Sequence, residues 1–134
     1  MKKLMAVSLL LVLSISMPLL LTGCEDDTVA KHIISNESYA TADEIETAVQ
    51  PETLKAGKTV YASISFIESP IGMKYAVEWL LDGQRVYAEE KEMVTDKRGI
   101  IVYELPGDKA AAGQLTLRVL YKDKLVFSKE LPIK

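Results

Sequence analysis

Met73-Lys74-Tyr75-Ala76-Val77-Glu78-Trp79-Leu80-Leu81-Asp82-Gly83-Gln84-Arg85-Val86 is the stretch whose reading decides the fold. Tyr75, Val77, Trp79 and Leu81 fall at every second position, with Lys74, Ala76, Glu78 and Leu80 between them. A period of two marks a strand with one buried face. Asp82-Gly83 then supplies two residues that tolerate positive φ, as a two-residue hairpin turn requires. The chain should turn back there, with Val86 and Ala88 facing inward on the returning strand.

The same alternation extends in both directions. Residues 59–66 are rich in β-branched and aromatic side chains, and Val60, Ala62, Ile64 and Phe66 share one face. Upstream, Ile45, Thr47 and Val49 alternate with Glu46, Ala48 and Gln50, so a first strand is expected near Ile45, ended by Pro51. A helical turn over Ala42-Asp43-Glu44-Ile45-Glu46, capped by Thr41, is the competing reading. Downstream, Glu89-Glu90-Lys91-Glu92 reads as an exposed edge or loop whose charge blunts edge-to-edge pairing. Met93-Val94-Thr95 follows as a short strand, and Asp96-Lys97-Arg98-Gly99 as a turn. Ile101, Tyr103 and Leu105 then mark one face of another strand, stopped by Pro106-Gly107. The segment around Ala110-Ala111-Ala112 is too short for an independent helix and should carry the chain between sheets. Leu115, Leu117, Val119 and Tyr121 alternate again. After a turn at Asp123-Lys124, Leu125, Phe127, Lys129, Leu131 and Ile133 are expected on one side and Val126 on the other.

Seven or eight short strands in residues 45–134, with no convincing helix, predict an all-β fold. Two sheets packed face to face bury such one-sided strands most simply. The strand spacing, with Trp79 on the third strand, suits an immunoglobulin-like or fibronectin-like β-sandwich. Tyr75-Ala76-Val77-Glu78-Trp79, Asp82-Gly83, Leu105-Pro106 and Gly113-Gln114-Leu115-Thr116-Leu117-Arg118-Val119 resemble bacterial cell-surface immunoglobulin-like modules. That resemblance covers roughly residues 54–133 and implies a fold, without an activity.

The N-terminus gives an address. Lys2 and Lys3 precede a run from Leu4 to Leu21 broken only by Ser8, Ser14, Ser16 and Pro18. A basic start followed by an apolar core is an export signal. The run ends in Leu21-Thr22-Gly23-Cys24, which resembles the lipobox of bacterial lipoproteins at all four positions. The resemblance implies a diacylglycerol thioether on Cys24, cleavage after Gly23 and anchorage on the extracytoplasmic face of the cell membrane. Two acyl chains would supply the two membrane signals that stable anchoring needs. An uncut membrane anchor is the competing reading, and Pro18 with the Gly23-Cys24 end favours processing. The expected organisation is a signal peptide over 1–23, a lipidated N-terminus and flexible linker over 24–44, and a sandwich over 45–134.

Charge narrows the partners. The whole chain carries 16 Lys and Arg against 19 Asp and Glu, a net of -3. Without the leader, which holds Lys2 and Lys3 and no acid, 14 basic residues oppose 19 acids, a net of -5. That balance argues against nucleic acid and against general attraction to anionic lipid.

No residue set forms a catalytic centre. The only histidine, His32, falls in the expected linker and reads as solvated. A Gly-x-Ser-x-Gly elbow and a phosphate-binding Gly-rich loop are absent. With one cysteine there is no internal disulfide. No catalytic residue, cofactor or metal is assigned; calcium sites at Glu89, Glu90 and Glu92, or at Glu68, Asp96 and Asp108, lack an ordered ligand spacing. Aromatic and aliphatic side chains on outward faces are the better lead. Tyr61, Leu80, Tyr87, Leu120 and Val126 are expected to form an exposed apolar patch that marks a partner surface. The expected function is a non-catalytic, lipid-anchored envelope module that binds a protein, peptide or glycan or serves as a structural accessory. A small solute- or calcium-binding lipoprotein is the alternative. An envelope hydrolase is disfavoured for want of a nucleophile–base pair.

Overall fold

The computed structural model describes residues 29–134. The expected signal peptide and the lipobox-like stretch ending at Cys24 lie outside the described residues. Within them the order is β1 Val29–Ser35, α1 Ala42–Thr47, β2 Val60–Ser69, β3 Lys74–Leu81, β4 Gln84–Glu92, β5 Lys97–Leu105, a 3-10 turn Gly107–Lys109, β6 Gly113–Tyr121 and β7 Lys124–Ile133. One sheet has the order β1-β2-β5 and the other β4-β3-β6-β7. All strand pairs are antiparallel. The chain changes sheet between β2 and β3, between β4 and β5, and between β5 and β6, while β3–β4 and β6–β7 are hairpins within one sheet. This is an immunoglobulin-like β-sandwich.

The alternation around Trp79 places its residues as expected. Tyr75, Val77 and Trp79 from β3 meet Val60, Ala62, Ile64 and Phe66 from β2 in one core. Ile101, Tyr103 and Leu105 complete it from β5, and Leu115, Leu117 and Val119 from β6. Each fully buried large apolar side chain contributes about 1.5–3 kcal/mol. Trp79 is 0% exposed, and its Nε1 has no hydrogen-bond partner among the described residues. An orphaned buried donor costs about 1–3 kcal/mol, which the burial of the ring offsets. The two sheets are also tied by a polar bond: the Tyr103 hydroxyl donates to the Tyr75 carbonyl at 2.6 Å. Burial, with the charges of Glu89 and Glu90 and the Tyr75 phenol adding to it, raises the Tyr103 pKa far above the ordinary phenol range.

The two hairpins share one geometry. In the first, Leu81 pairs with Gln84 and Leu80 with Arg85, but Trp79 pairs with Tyr87, leaving Val86 as an extra residue. In the second, Tyr121 pairs with Lys124 and Leu120 with Leu125, but Val119 pairs with Phe127, leaving Val126 extra. Both turns use positive φ at their two central residues, Asp82 and Gly83 in one, Lys122 and Asp123 in the other. The second turn therefore centres one residue earlier than expected. Each bulge shifts the alternation by one position. Tyr87, expected outside, packs partly buried against the core beside Val86, and Ala88 is exposed. Val126, also expected outside, is 3% exposed in the core, while Leu125, expected inside, is 45% exposed.

Further expectations change. The first strand is not at Ile45. Thr41 caps a helix there, accepting from the Glu44 amide at 3.2 Å, while the Glu44 carboxylate accepts from the Ala40 amide at 2.9 Å. This is close to a capping box, and it settles the local competition for helix. The linker expected over 24–44 contains β1, which pairs with β2 from Val29 to Ser35. The sandwich thus begins well before residue 45. His32 is accordingly not a solvated linker side chain: it is half-buried in β1 and stacks on Phe127 of β7 at 4.3 Å between ring centroids. Finally, Met93-Val94-Thr95 is a loop in which Met93 alone is buried, whereas Glu89-Glu90-Lys91-Glu92 lies in β4, an edge strand, as one of its two readings expected.

Candidate functional site

Whatever this domain recognises must be met on its outer surfaces, and the two sheets present different ones. On the three-stranded sheet the outward positions include Lys31 and Ile33 of β1, Tyr61, Ser63 and Ser65 of β2, and Ile100 and Val102 of β5, paired across the strands. Part of this face is covered. Ile33 and Ile45 are each 1% exposed, although neither belongs to the inter-sheet core, because α1 lies over the sheet. The Tyr39 amide donates to Ser63 Oγ at 3.0 Å, and Lys31 Nζ donates to the Glu46 carbonyl at 2.9 Å, fixing the segment around α1 to the strands. Gln50 then acts as a side-chain substitute for a neighbouring strand. Its amide accepts from Ile34 N at 2.9 Å and donates to Ile34 O at 2.6 Å.

Beside α1 the cover stops, and a cleft of about 640 Å³ remains. Ala30, Ala40, Ala42, Ile45, Ile67 and Ile100 give it an aliphatic lining. Lys31, Glu46 and Arg98 supply charge around it. Thr95, which also lines it, donates its hydroxyl to the Arg98 carbonyl at 2.6 Å, so one wall is braced by its own loop. The volume lies in the range of ordinary ligand pockets.

The outer face of the four-stranded sheet is open and ionic. Glu78 occupies its middle, 3.4 Å from Arg118 and 3.8 Å from Arg85. Leu80 and Leu120 are half-buried on this face, but they pair with Thr116 and Ala76 respectively, so the Glu78–Arg118 pair lies between them. A second hollow of about 550 Å³ here is lined by Glu78, Arg85, Glu89, Glu90, Lys122 and Asp123 among others. The five residues expected to form one apolar patch are thus dispersed. Tyr61 lies on the opposite sheet, Tyr87 and Val126 face the core, and Leu80 and Leu120 are divided by charge. Alternation at Ile45, Thr47 and Val49 favours a strand and conceals the cleft, because only a helix at α1 lets Ile45, Ala42 and Ala40 frame a surface. The signal was present in Thr41-x-x-Glu44.

No protein-family model matches the chain, and no curated protein matches it. Among solved structures it is similar to an immunoglobulin-like protein from Pseudomonas aeruginosa, with 14% identity and a TM-score of 0.47, over 78% of this chain and 90% of that one. It is similar to part of a mutant β-glucosidase from Listeria innocua solved with laminaribiose, with 12% identity and a TM-score of 0.46 over 63% of this chain. The chain spans only 15% of the length of that protein. A CARDB domain from Pyrococcus furiosus, solved with di-metal ions, has 8% identity and a TM-score of 0.40 over 81% of this chain and 94% of that one. The immunoglobulin-like description here rests on sheet order and register.

Side chains with chemical potential are engaged structurally. Ser35 Oγ donates to the Glu37 carbonyl, Ser63 Oγ accepts from Tyr39, and Ser69 Oγ is 2.8 Å from the Tyr75 hydroxyl. Among the described residues, no group of three His, Cys, Asp or Glu side chains is arranged to hold a metal. Glu89 accepts from the Glu104 amide at 3.1 Å, at the free edge of β5.

Proposed function

We propose that the chain is a lipid-anchored cell-envelope protein, held through Cys24 on the extracytoplasmic face of a bacterial membrane, whose immunoglobulin-like domain works by recognition. Its partner is a protein or peptide that places apolar side chains in the cleft beside α1. The observation that carries this reading is the aliphatic lining by Ala30, Ala42, Ile45, Ile67 and Ile100. No aromatic ring lines the cleft, so the stacking surface that a sugar would use is missing there. Two cations, Lys31 and Arg98, line the cleft against one acid, Glu46, which favours a partner with an acidic group beside its apolar one. The anchor is supported by Leu21-Thr22-Gly23-Cys24 at the end of the export signal. Catalysis is disfavoured by the setting of His32, whose ring, carried by β1, is stacked on Phe127 of β7.

The reading is tested on the full chain in cells. A clickable fatty acid should label the protein, and Cys24→Ser should abolish the label. Ile100→Glu, which places a charge in the cleft, should reduce partner binding at least tenfold while leaving the melting temperature nearly unchanged. Undiminished binding by Ile100→Glu would remove the cleft from the account. Labelling of Cys24→Ser would remove the anchor.

A further inference from the structure

The sandwich has two dissimilar ends. At one end lie the start of β1 at Val29, the finish of β2 at Ser69, the loops joining β2 to β3 and β4 to β5, and the Lys122-Asp123 turn. At the other lie the Gly57 and Asp82-Gly83 turns, the 3-10 turn and the start of β6. Four large apolar side chains are strongly exposed among the described residues, and three of them belong to the first end. Ile71 is 63% exposed, Val94 79% and Leu125 45%; the fourth, Val49, follows α1.

The exposure of Ile71 and Val94 is built into ordered loops. The Gly72 amide donates to the Met93 carbonyl at 3.0 Å and the Met93 amide to the Met73 carbonyl at 2.8 Å, so the two loops are clipped together. Gly72 makes the turn with φ of 94°. Met93 is buried at 1% exposure and fixes its loop to the core, which leaves its neighbour Val94 directed outward. Preorganised apolar tips lose little conformational freedom when they are covered.

The chain itself indicates what covers them. Cys24 is five residues before Val29. Five extended residues reach about 17 Å, whereas a ten-residue strand such as β2 is about 33 Å long. Lipid on Cys24 would therefore hold the first end near the bilayer and the second end away from it. Charges of both signs share this end: Lys74, Arg98, Lys122 and Lys124 stand with Glu92, Asp96 and Asp123, and Glu25, Asp26 and Asp27 lie between Cys24 and β1 in the chain. Resting on the lipid-anchor reading, we propose that Ile71 and Val94 insert into the interfacial layer of the bilayer and orient the sandwich end-on, with Leu125 at the margin. The cleft then opens close to the membrane, since Thr95, Arg98 and Gly99 line it and directly follow Val94.

The test uses full-length lipidated protein reconstituted in phosphatidylcholine vesicles containing doxyl-labelled lipid. Single substitutions Ile71→Cys, Val94→Cys, Val49→Cys and Asp108→Cys receive a fluorescent label, the acylated Cys24 being unreactive. Labels at 71 and 94 should be quenched several-fold more than those at 49 and 108. Equal quenching at all four, or none at 71 and 94 in protein that carries acyl label and floats with the vesicles, overturns the inference alone. Protein that neither carries acyl label nor floats overturns the anchor reading and the inference with it.

Discussion

The outer faces of the two sheets obey one alternation rule and end differently. On the three-stranded sheet, outward Ile33 is covered by α1 through Ile45 and becomes as buried as the core. On the four-stranded sheet, outward Leu80 and Leu120 stay half-buried, separated by the Glu78–Arg118 pair. An apolar residue at an outward position is therefore ambiguous in itself. It becomes structural where another element lies over it, and stays open surface where the cover stops, as it does beside α1.

Mutations can break or sharpen this contrast. Ile45→Ala should cost about 2–5 kcal/mol and expose Ile33, read as a lower denaturant midpoint. If it costs no more than a surface change, α1 is not a cover. Thr41→Ala, which removes the cap, should cost about 1 kcal/mol and increase hydrogen exchange within α1. Tyr103→Phe breaks the tie between the two layers and should also cost about 1 kcal/mol at neutral pH. Its pH dependence has a definite sign. The native phenol pKa lies above the unfolded value of about 10, so above that pH the unfolded chain loses a proton that the native state retains. Stability should fall as pH rises past about 10, and Tyr103→Phe should flatten that fall in alkaline melting curves. Glu78→Gln removes both ion pairs of the open face and should cost less than about 1 kcal/mol, since the Arg85 and Arg118 side chains are 63% and 38% exposed. Leu80→Ala, on the same face, should shift stability by about 0.5 kcal/mol or less. A loss there as large as that of Ile45→Ala would erase the distinction between the faces.

The sandwich was legible wherever burial fell on one side of an unbroken strand. Val60 to Phe66 in β2 and Leu115 to Val119 in β6 alternate without interruption, and their core faces follow directly. Legibility ended at the bulges. Val86 and Val126 each add one residue to a strand, and sequence alternation alone does not reveal where an extra residue is inserted. Tyr87 and Val126 were therefore given the wrong face. At the N-terminus, the polar residues around Ile33-Ile34 suggested a linker, because a seven-residue edge strand has little periodicity of its own and owes its structure to pairing with β2. The cleft is hidden from sequence periodicity for a related reason: it is bordered by β1 and α1 together, and neither shows its structure in alternation.

The edges repay the same comparison. The free edge of β5 is sealed by side chains from β4: Lys91 Nζ donates to the Val102 carbonyl at 2.7 Å, and Glu89 accepts from Glu104 N. The charged run, expected to blunt edge-to-edge pairing, also guards a strand edge in the opposite sheet. The end of β7 is covered instead by main chain, with Leu54 N donating to the Pro132 carbonyl and Lys134 N to the Leu54 carbonyl, each at 2.9 Å. With these edges closed, the concave face beside α1 is the better place for a partner.

Photocrosslinking in intact cells tests that placement most directly. A photoreactive amino acid at Ile100, in the cleft, is compared with one at Leu80, on the open ionic face, each in the otherwise unchanged full chain. The account predicts a discrete crosslinked adduct from position 100, competed away by excess unlabelled protein, and none from position 80. An adduct from position 80 with none from position 100 would contradict it.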